Sequence, residues 1–277
     1  AVLAAGEWPA YEQQTFGAHA VHPHAKATRQ YALDYAEHPA VTRLNDLLPA
    51  GLDLSDLFST IVRCAWPTFD PQEDLPDPFS GGEWAAEMGD FYVDTAIAAF
   101  FWADHDPLWA TAIADLARIF ADNSLHTFLQ ALSGPELSRQ IIIMPNLVYP
   151  ATRTVVASNG TTFYAIVPPP KAVGESPPWP YRDGADWVAA ECCFHLLAPV
   201  LGAELSGFST DMEELLRHAA TIVYLERHQN EGAALLYRVR CQQELGLPHI
   251  TVAEEAVRSY LKDPAGESLS GQFLQNL

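Results

Sequence analysis

Positive charge is scarce in this chain: 15 Lys and Arg stand against 35 Asp and Glu, for a formal charge of −20 at pH 7. Such a surface repels phosphate, so nucleic acid and anionic membrane are not expected partners. A cationic ligand, or charge kept for solubility alone, fits better. Cysteine is also sparse. Cys64, Cys192, Cys193 and Cys241 form no CxxC pair and no disulfide-like spacing, which argues against a zinc ribbon or a disulfide scaffold. They read as reduced, buried residues and point to a reducing, cytoplasmic compartment. The chain begins at Ala1 without a methionine, which leaves room for a removed N-terminal signal. Long apolar runs are missing: none approaches the roughly 20 residues that a membrane-spanning helix needs.

What remains is a chain of 277 residues, 49% hydrophobic, with material for a sizeable core. It reads as a single globular domain of the α+β class, mostly helical with a small antiparallel sheet. Residues 1–26 have weak periodicity and are read as a poorly defined segment, with Val21-His22-Pro23-His24 a surface loop because two histidines flanking a proline share no helical face. Residues 27–138 are read as helical. The expected helices cover Ala27 to Leu48, broken at His38-Pro39, then Leu52 to Ala65, Glu83 to Trp102, Leu108 to Ala121 and Ser124 to Leu132, with a loop over Pro67 to Phe79. Glu83, Glu87, Asp90 and Asp94 read as a solvated face. Asp104-His105-Asp106-Pro107 reads as a helix stop followed by a new cap.

The texture changes at residue 139. The β-branched and aromatic runs Ile141–Met144, Thr154–Ala157 and Thr161–Val167 predict a small sheet over 139–167, and Asn159-Gly160 predicts a tight hairpin between the last two. Residues 168–183 are proline-rich and read as a loop. From 184 to 277 the pattern is helical again, with segments near Asp186–Leu197, Ser209–Arg227, Glu231–Leu245 and Val252–Leu261. Ser209 or Thr210 is the expected cap of the second, with Glu213 as reciprocal partner.

The segment Asp186-Trp-Val-Ala-Ala-Glu-Cys-Cys-Phe-His-Leu-Leu-Ala-Pro199 has the frame of a His-Glu-x-x-His helix. In that motif two histidines one turn apart bind zinc, and the glutamate acts on the metal-bound water. With Glu191 as that glutamate, the ligand positions hold Ala190 and Phe194, and neither binds metal. His195 lies one residue beyond, about 100° around the helix. Turning the helix would make Glu191 and His195 the ligands and leave Cys192 where the base belongs.

On this segment, together with His38-Pro39-Ala40-Val41, Asp90-Phe91-Tyr92, Phe100-Phe101, Asn146-Leu147, the hairpin strands and Leu245-Gly-Leu-Pro-His-Ile250, the chain resembles an uncharacterised bacterial family of zincin-like metallopeptidase homologues. The resemblance implies a zincin-like arrangement of sheet, active-site helix and following helix. It implies that Glu191 is a vestigial general base, with Ala198-Pro199 where the family has Asn-Pro. The reading is a degenerate homologue without zinc-peptidase activity, which keeps a groove for a peptide or small ligand beside an edge strand. Phe163, Tyr164, Trp187, Phe194 and Arg217 are its expected ligand-binding residues, and no cofactor is called for.

The alternative is a hydrolase with a relocated zinc site built from Glu191, His195, Glu214 and His218, with Glu213 as a further candidate. Whether a distant segment such as His22, His24 or His105 replaces the missing histidines is not readable. A thiol nucleophile at Cys192 or Cys193 lacks an oxyanion donor. Trp66, Trp179 and Trp187 lie near proline-rich loops and could serve a binding role. Oligomeric state is not readable.

Overall fold

The computed structural model describes residues 1–133, 139–172, 176–263 and 268–276. It is a mostly helical α+β fold with one small sheet. The chain divides into two compact units, Ala1–Arg118 with Gln140–Gly184 and Ile119–Arg139 with Ala185–Leu277. No helix among the described residues is long and apolar enough to cross a membrane.

The first unit begins with α1 (Val2–Ala5) and α2 (Trp8–Thr15), so the expected poorly defined segment is ordered core. Leu3, Ala4 and Trp8 are buried. Glu12 is fully buried as well, its carboxylate accepting from the amides of Ala151 (2.9 and 3.1 Å) and Thr152 (3.3 Å). Periodicity failed here because both helices are short and α1 is buried on every side. The next helices, α3 (Pro23–Ala32), α4 (Pro39–Leu47) and α5 (Leu54–Val62), start at caps. His22 Nδ1 accepts from the His24 amide (3.1 Å) and His38 Nδ1 from the Ala40 amide (3.2 Å), each with proline in the first helical position. The 22–24 segment is therefore a helix start and not a loop, because proline fits the one turn where its missing N–H is not needed.

Two further helices follow, α6 (Glu83–Thr95) and α7 (Ala103–Ile119). Ala96, with φ 45°, ends α6 in the left-handed region, and Ala98–Trp102 forms a π-helical turn that runs directly into α7. Asp104 to Pro107 thus lies inside a helix and is not a stop. Pro107, which has no N–H to donate, lies inside this continuous helix shortly after the π-helical turn.

The sheet has the order β1-β3-β2, with β1 (Gln140–Pro145), β2 (Val155–Ser158) and β3 (Thr162–Val167). The hairpin forms as expected, with β2 antiparallel to β3 and Asn159 Oδ1 accepting from the Thr162 amide (2.8 Å). β1 pairs parallel to β3, so the sheet is mixed and not purely antiparallel. Alternating apolar residues mark a strand but carry no direction. The loop between β1 and β2 is long enough to let β3 insert between them. α5 packs on β2, where Ser59 Oγ accepts from the Ser158 amide (3.0 Å).

The second unit holds α8 (Ser124–Ser133), α9 (Ala185–Val200), α10 (Gly202–Leu205), α11 (Thr210–His228), α12 (Glu231–Gln243), α13 (Ile250–Tyr260) and α14 (Leu269–Asn276). α11 packs against α9, α12 and α13, and is the hub of this unit. Ser209 Oγ accepts from the Met212 amide (3.4 Å) and Asn230 Oδ1 from the Ala233 amide (2.8 Å), which fixes the starts of α11 and α12. Glu254 of α13, almost fully buried, accepts from Arg238 (2.6 and 2.8 Å) and Arg258 (2.7 Å). Residues 173–175 of the expected proline-rich loop, and residues 134–138, lie outside the described residues.

Candidate functional site

In the second unit, α9 is buried on most sides and shows a partly exposed stripe at Trp187, Glu191, Phe194, His195 and Ala198. The spacing follows the 3.6-residue helical period, so the side chains singled out in the sequence do share one face. Ala190 is buried. Glu191 and His195 pair along the helix, Oε2 to Nε2 3.4 Å.

Opposite them on α11, Arg217 donates through Nε to the Phe194 carbonyl (3.1 Å), and its guanidinium carbon lies 4.0 Å from the Phe194 ring centroid. The imidazole of His218 stacks on Phe194, centroids 4.3 Å apart at 25°. Arg217 also approaches Glu213 (3.6 Å), which draws that carboxylate away from the reciprocal cap expected of it. His218 holds Tyr237 Oη at 2.9 Å through Nδ1 and lies 3.7 Å from Glu214 through Nε2. Burial, helped by the nearby Arg217 and Arg240 charges, pushes the His218 pKa down to about 4.

Chemically this is a packed aromatic and cationic plug. Phe194 lies between a guanidinium and an imidazole, Arg217 and His218, both from α11. A half-buried cation beside Phe194 opposes a divalent metal there by like-charge repulsion. Both ring nitrogens of His218 already have partners. Among the described residues, no three His, Cys, Asp or Glu side chains converge to hold a metal. Cys192 and Cys193 are fully buried, and burial raises both thiol pKa values well above the ordinary range, so neither is a thiolate at neutral pH.

Phe163 and Tyr164 belong to the first unit and lie on β3. This is the central strand, its backbone paired to Ile141 and Ile142 on one side and to Ser158 and Ala157 on the other. It offers no edge to a peptide. Phe163 is buried, and the Tyr164 hydroxyl accepts from Asn159 Nδ2 (3.2 Å). Both residues serve the sheet, which corrects their expected place in an edge groove.

The first unit contains a different site. A cavity of about 530 Å³ is walled by side chains from its N-terminal residues, α4, α5, α6, the π-helical turn and α7, with Met144 of β1 and the loop after it. Trp84 and Phe91 form its buried wall, with Leu44, Leu57 and Met88 beside them. Trp66, Phe69, Tyr92 and Trp102 form a contiguous ring cluster, with Phe69 buried and Trp66 at its exposed edge. Trp66 lies 4.7 Å from Tyr92, 5.5 Å from Phe69 and 6.1 Å from Trp102, and is 60% exposed. Phe69 is held at φ 59°, a left-handed conformation that costs a bulky side chain about 1–3 kcal/mol.

Several polar groups of this wall are already bonded to protein. Trp84 Nε1 donates to the Ala40 carbonyl (3.1 Å), Trp109 Nε1 to His24 Nε2 (3.1 Å) and Asn146 Nδ2 to the Pro150 carbonyl (2.8 Å). The surface left for a ligand is mostly apolar and aromatic.

No protein-family model, curated protein or solved structure matches the chain.

Sequence reasoning missed this cavity, although one signal was present: four of the seven tryptophans, Trp66, Trp84, Trp102 and Trp109, fall within 66–109. Trp66 was noted there as a binding candidate. Trp84 reads only as part of a helical aromatic stripe, which looks the same whether it faces a packed interior or a void.

Proposed function

We propose that this protein binds an apolar small molecule in the aromatic cavity of its first unit, and that its second unit carries a degenerate zincin-like helix without zinc-peptidase chemistry. The observation that carries the binding reading is the cavity itself. Its volume of about 530 Å³ lies within the roughly 300–1,000 Å³ of small-molecule sites, which are mostly apolar with a few placed polar groups. The π-helical turn at Ala98–Trp102 and the left-handed backbone of Phe69 support it, since both are costly local geometries of the kind found around ligand sites.

The zincin-like reading of α9 rests on the frame around Glu191 and on the following helix that faces it. Ala190, Phe194 and Arg217 occupy positions that zinc chemistry needs for histidine or carboxylate. Glu191, paired with His195, has no metal-bound water to act upon.

The test is a titration with N-phenyl-1-naphthylamine, an uncharged probe that brightens in apolar surroundings. Saturable binding at one site per chain is expected, and Met88→Trp, which fills the cavity, should abolish it while the melting temperature stays near that of the wild type. Absence of saturable binding, or binding indifferent to Met88→Trp, contradicts the reading.

A further inference from the structure

We infer that the cavity selects an organic cation, an amphipathic molecule with an aromatic or alkyl body and an ammonium-type head, and that Asp106 and the tryptophans at the outer end recognise the charge. This rests on the cavity being a ligand site and adds the class of ligand.

Trp102, Asp106 and Trp109 are spaced i, i+4 and i+7, which puts them on one face, and all three line the cavity. Asp106 brings the only charged side chain among the lining residues. Its carboxylate has no ion pair or hydrogen bond among the described residues.

Trp102 lies one helical turn before this carboxylate and Trp66 lies 6.1 Å from Trp102, and both rings carry the negative quadrupoles that attract cations, most strongly for tryptophan and more so when the cation is partly desolvated. Trp66, 60% exposed, is a large apolar group left in water at the outer end of a cavity, where a ligand would cover it. A net charge of −20 adds a field that concentrates cations and repels anions. An anionic ligand would meet Asp106 with no cationic side chain in the wall to offset it. Asp106 is exposed, so its carboxylate stays hydrated whatever binds, and a neutral ligand gains nothing from it.

The competing role for Asp106 is structural, since a carboxylate in the first turn of a helix favours that helix through its dipole. That role alters melting and leaves the choice between two ligands of equal shape unchanged.

The experiment uses two isosteric probes: trimethyl(naphthalen-1-ylmethyl)ammonium, and its uncharged analogue with a quaternary carbon in place of nitrogen. Calorimetric titration into the full chain should show the cation binding at least about tenfold tighter. Asp106→Asn should bring the two within about threefold of each other, with the neutral probe unchanged as the control for folding. Equal binding of both probes to the wild type overturns the inference while leaving the cavity as a ligand site. Cation preference unmoved by Asp106→Asn overturns the role of Asp106. Failure of both probes to bind removes the underlying reading as well.

Discussion

The guanidinium of Arg217 lies 4.0 Å from the centroid of the Phe194 ring, and its Nε donates to the carbonyl of that same residue (3.1 Å). One side chain therefore covers the Phe194 part of the half-exposed stripe of α9. The contact also sets a limit on repair. Ala190→His/Phe194→His places two histidines one turn apart around Glu191 but leaves the α11 side occupied by a cation. The double variant is expected to retain no stoichiometric zinc after dialysis, measured by elemental analysis; adding Arg217→Glu is expected to raise zinc retention. One equivalent of zinc in the double variant would show that Arg217 is no obstacle.

Stability should depend on pH through two buried histidines. Burial, together with the neighbouring His105 and His22, lowers the His24 pKa to about 4, and burial with Arg217 and Arg240 does the same for His218. The unfolded chain protonates these groups near their ordinary value of 6.5, so between 6.5 and 4 it binds more protons than the native protein. Their contribution is fully present above about pH 6.5 and is lost as the pH falls toward 4, each unit of depression amounting to about 1.4 kcal/mol. Urea denaturation at a series of pH values should show midpoints falling over that window. His218→Gln should flatten the slope, and an unchanged slope would contradict the assignment.

Glu254 offers a test of the second unit's core. It is almost fully buried and bound by Arg238 and Arg258 at 2.6–2.8 Å. Glu254→Ala leaves two guanidinium groups without their shared partner and is expected to cost about 3–5 kcal/mol, read from the denaturation midpoint. A loss below about 1 kcal/mol would mean that solvent replaces the carboxylate, as at an exposed pair.

Some of this molecule was legible from residue order and some was not, for identifiable reasons. α9, α11, α12 and α13 fall within a few residues of their expected bounds, because Ser209 and Asn230 carry their caps in the chain itself. The β2–β3 hairpin follows from Asn159-Gly160. The parallel pairing of β1 has no local signal, since strand direction depends on where the connection runs. α1 and α2 were overlooked because helices of four and eight residues, packed into a core, show too little periodicity. On α9, the Glu191–His195 spacing was readable, whereas the stacking of Arg217 and His218 on Phe194 requires knowing how α11 lies against it. The cavity is harder still. Its wall joins residues 1–3, 44, 57–69, 84–109 and 144–149, and no single stretch of sequence distinguishes a lined void from a filled one.

The most direct test of the central claim is a crystal structure of the protein with the uncharged naphthyl probe. Density for one probe is expected between Trp84, Phe91 and Met88, its outer end against Trp66. A probe bound elsewhere, with this cavity empty or closed over by its own side chains, would contradict the account.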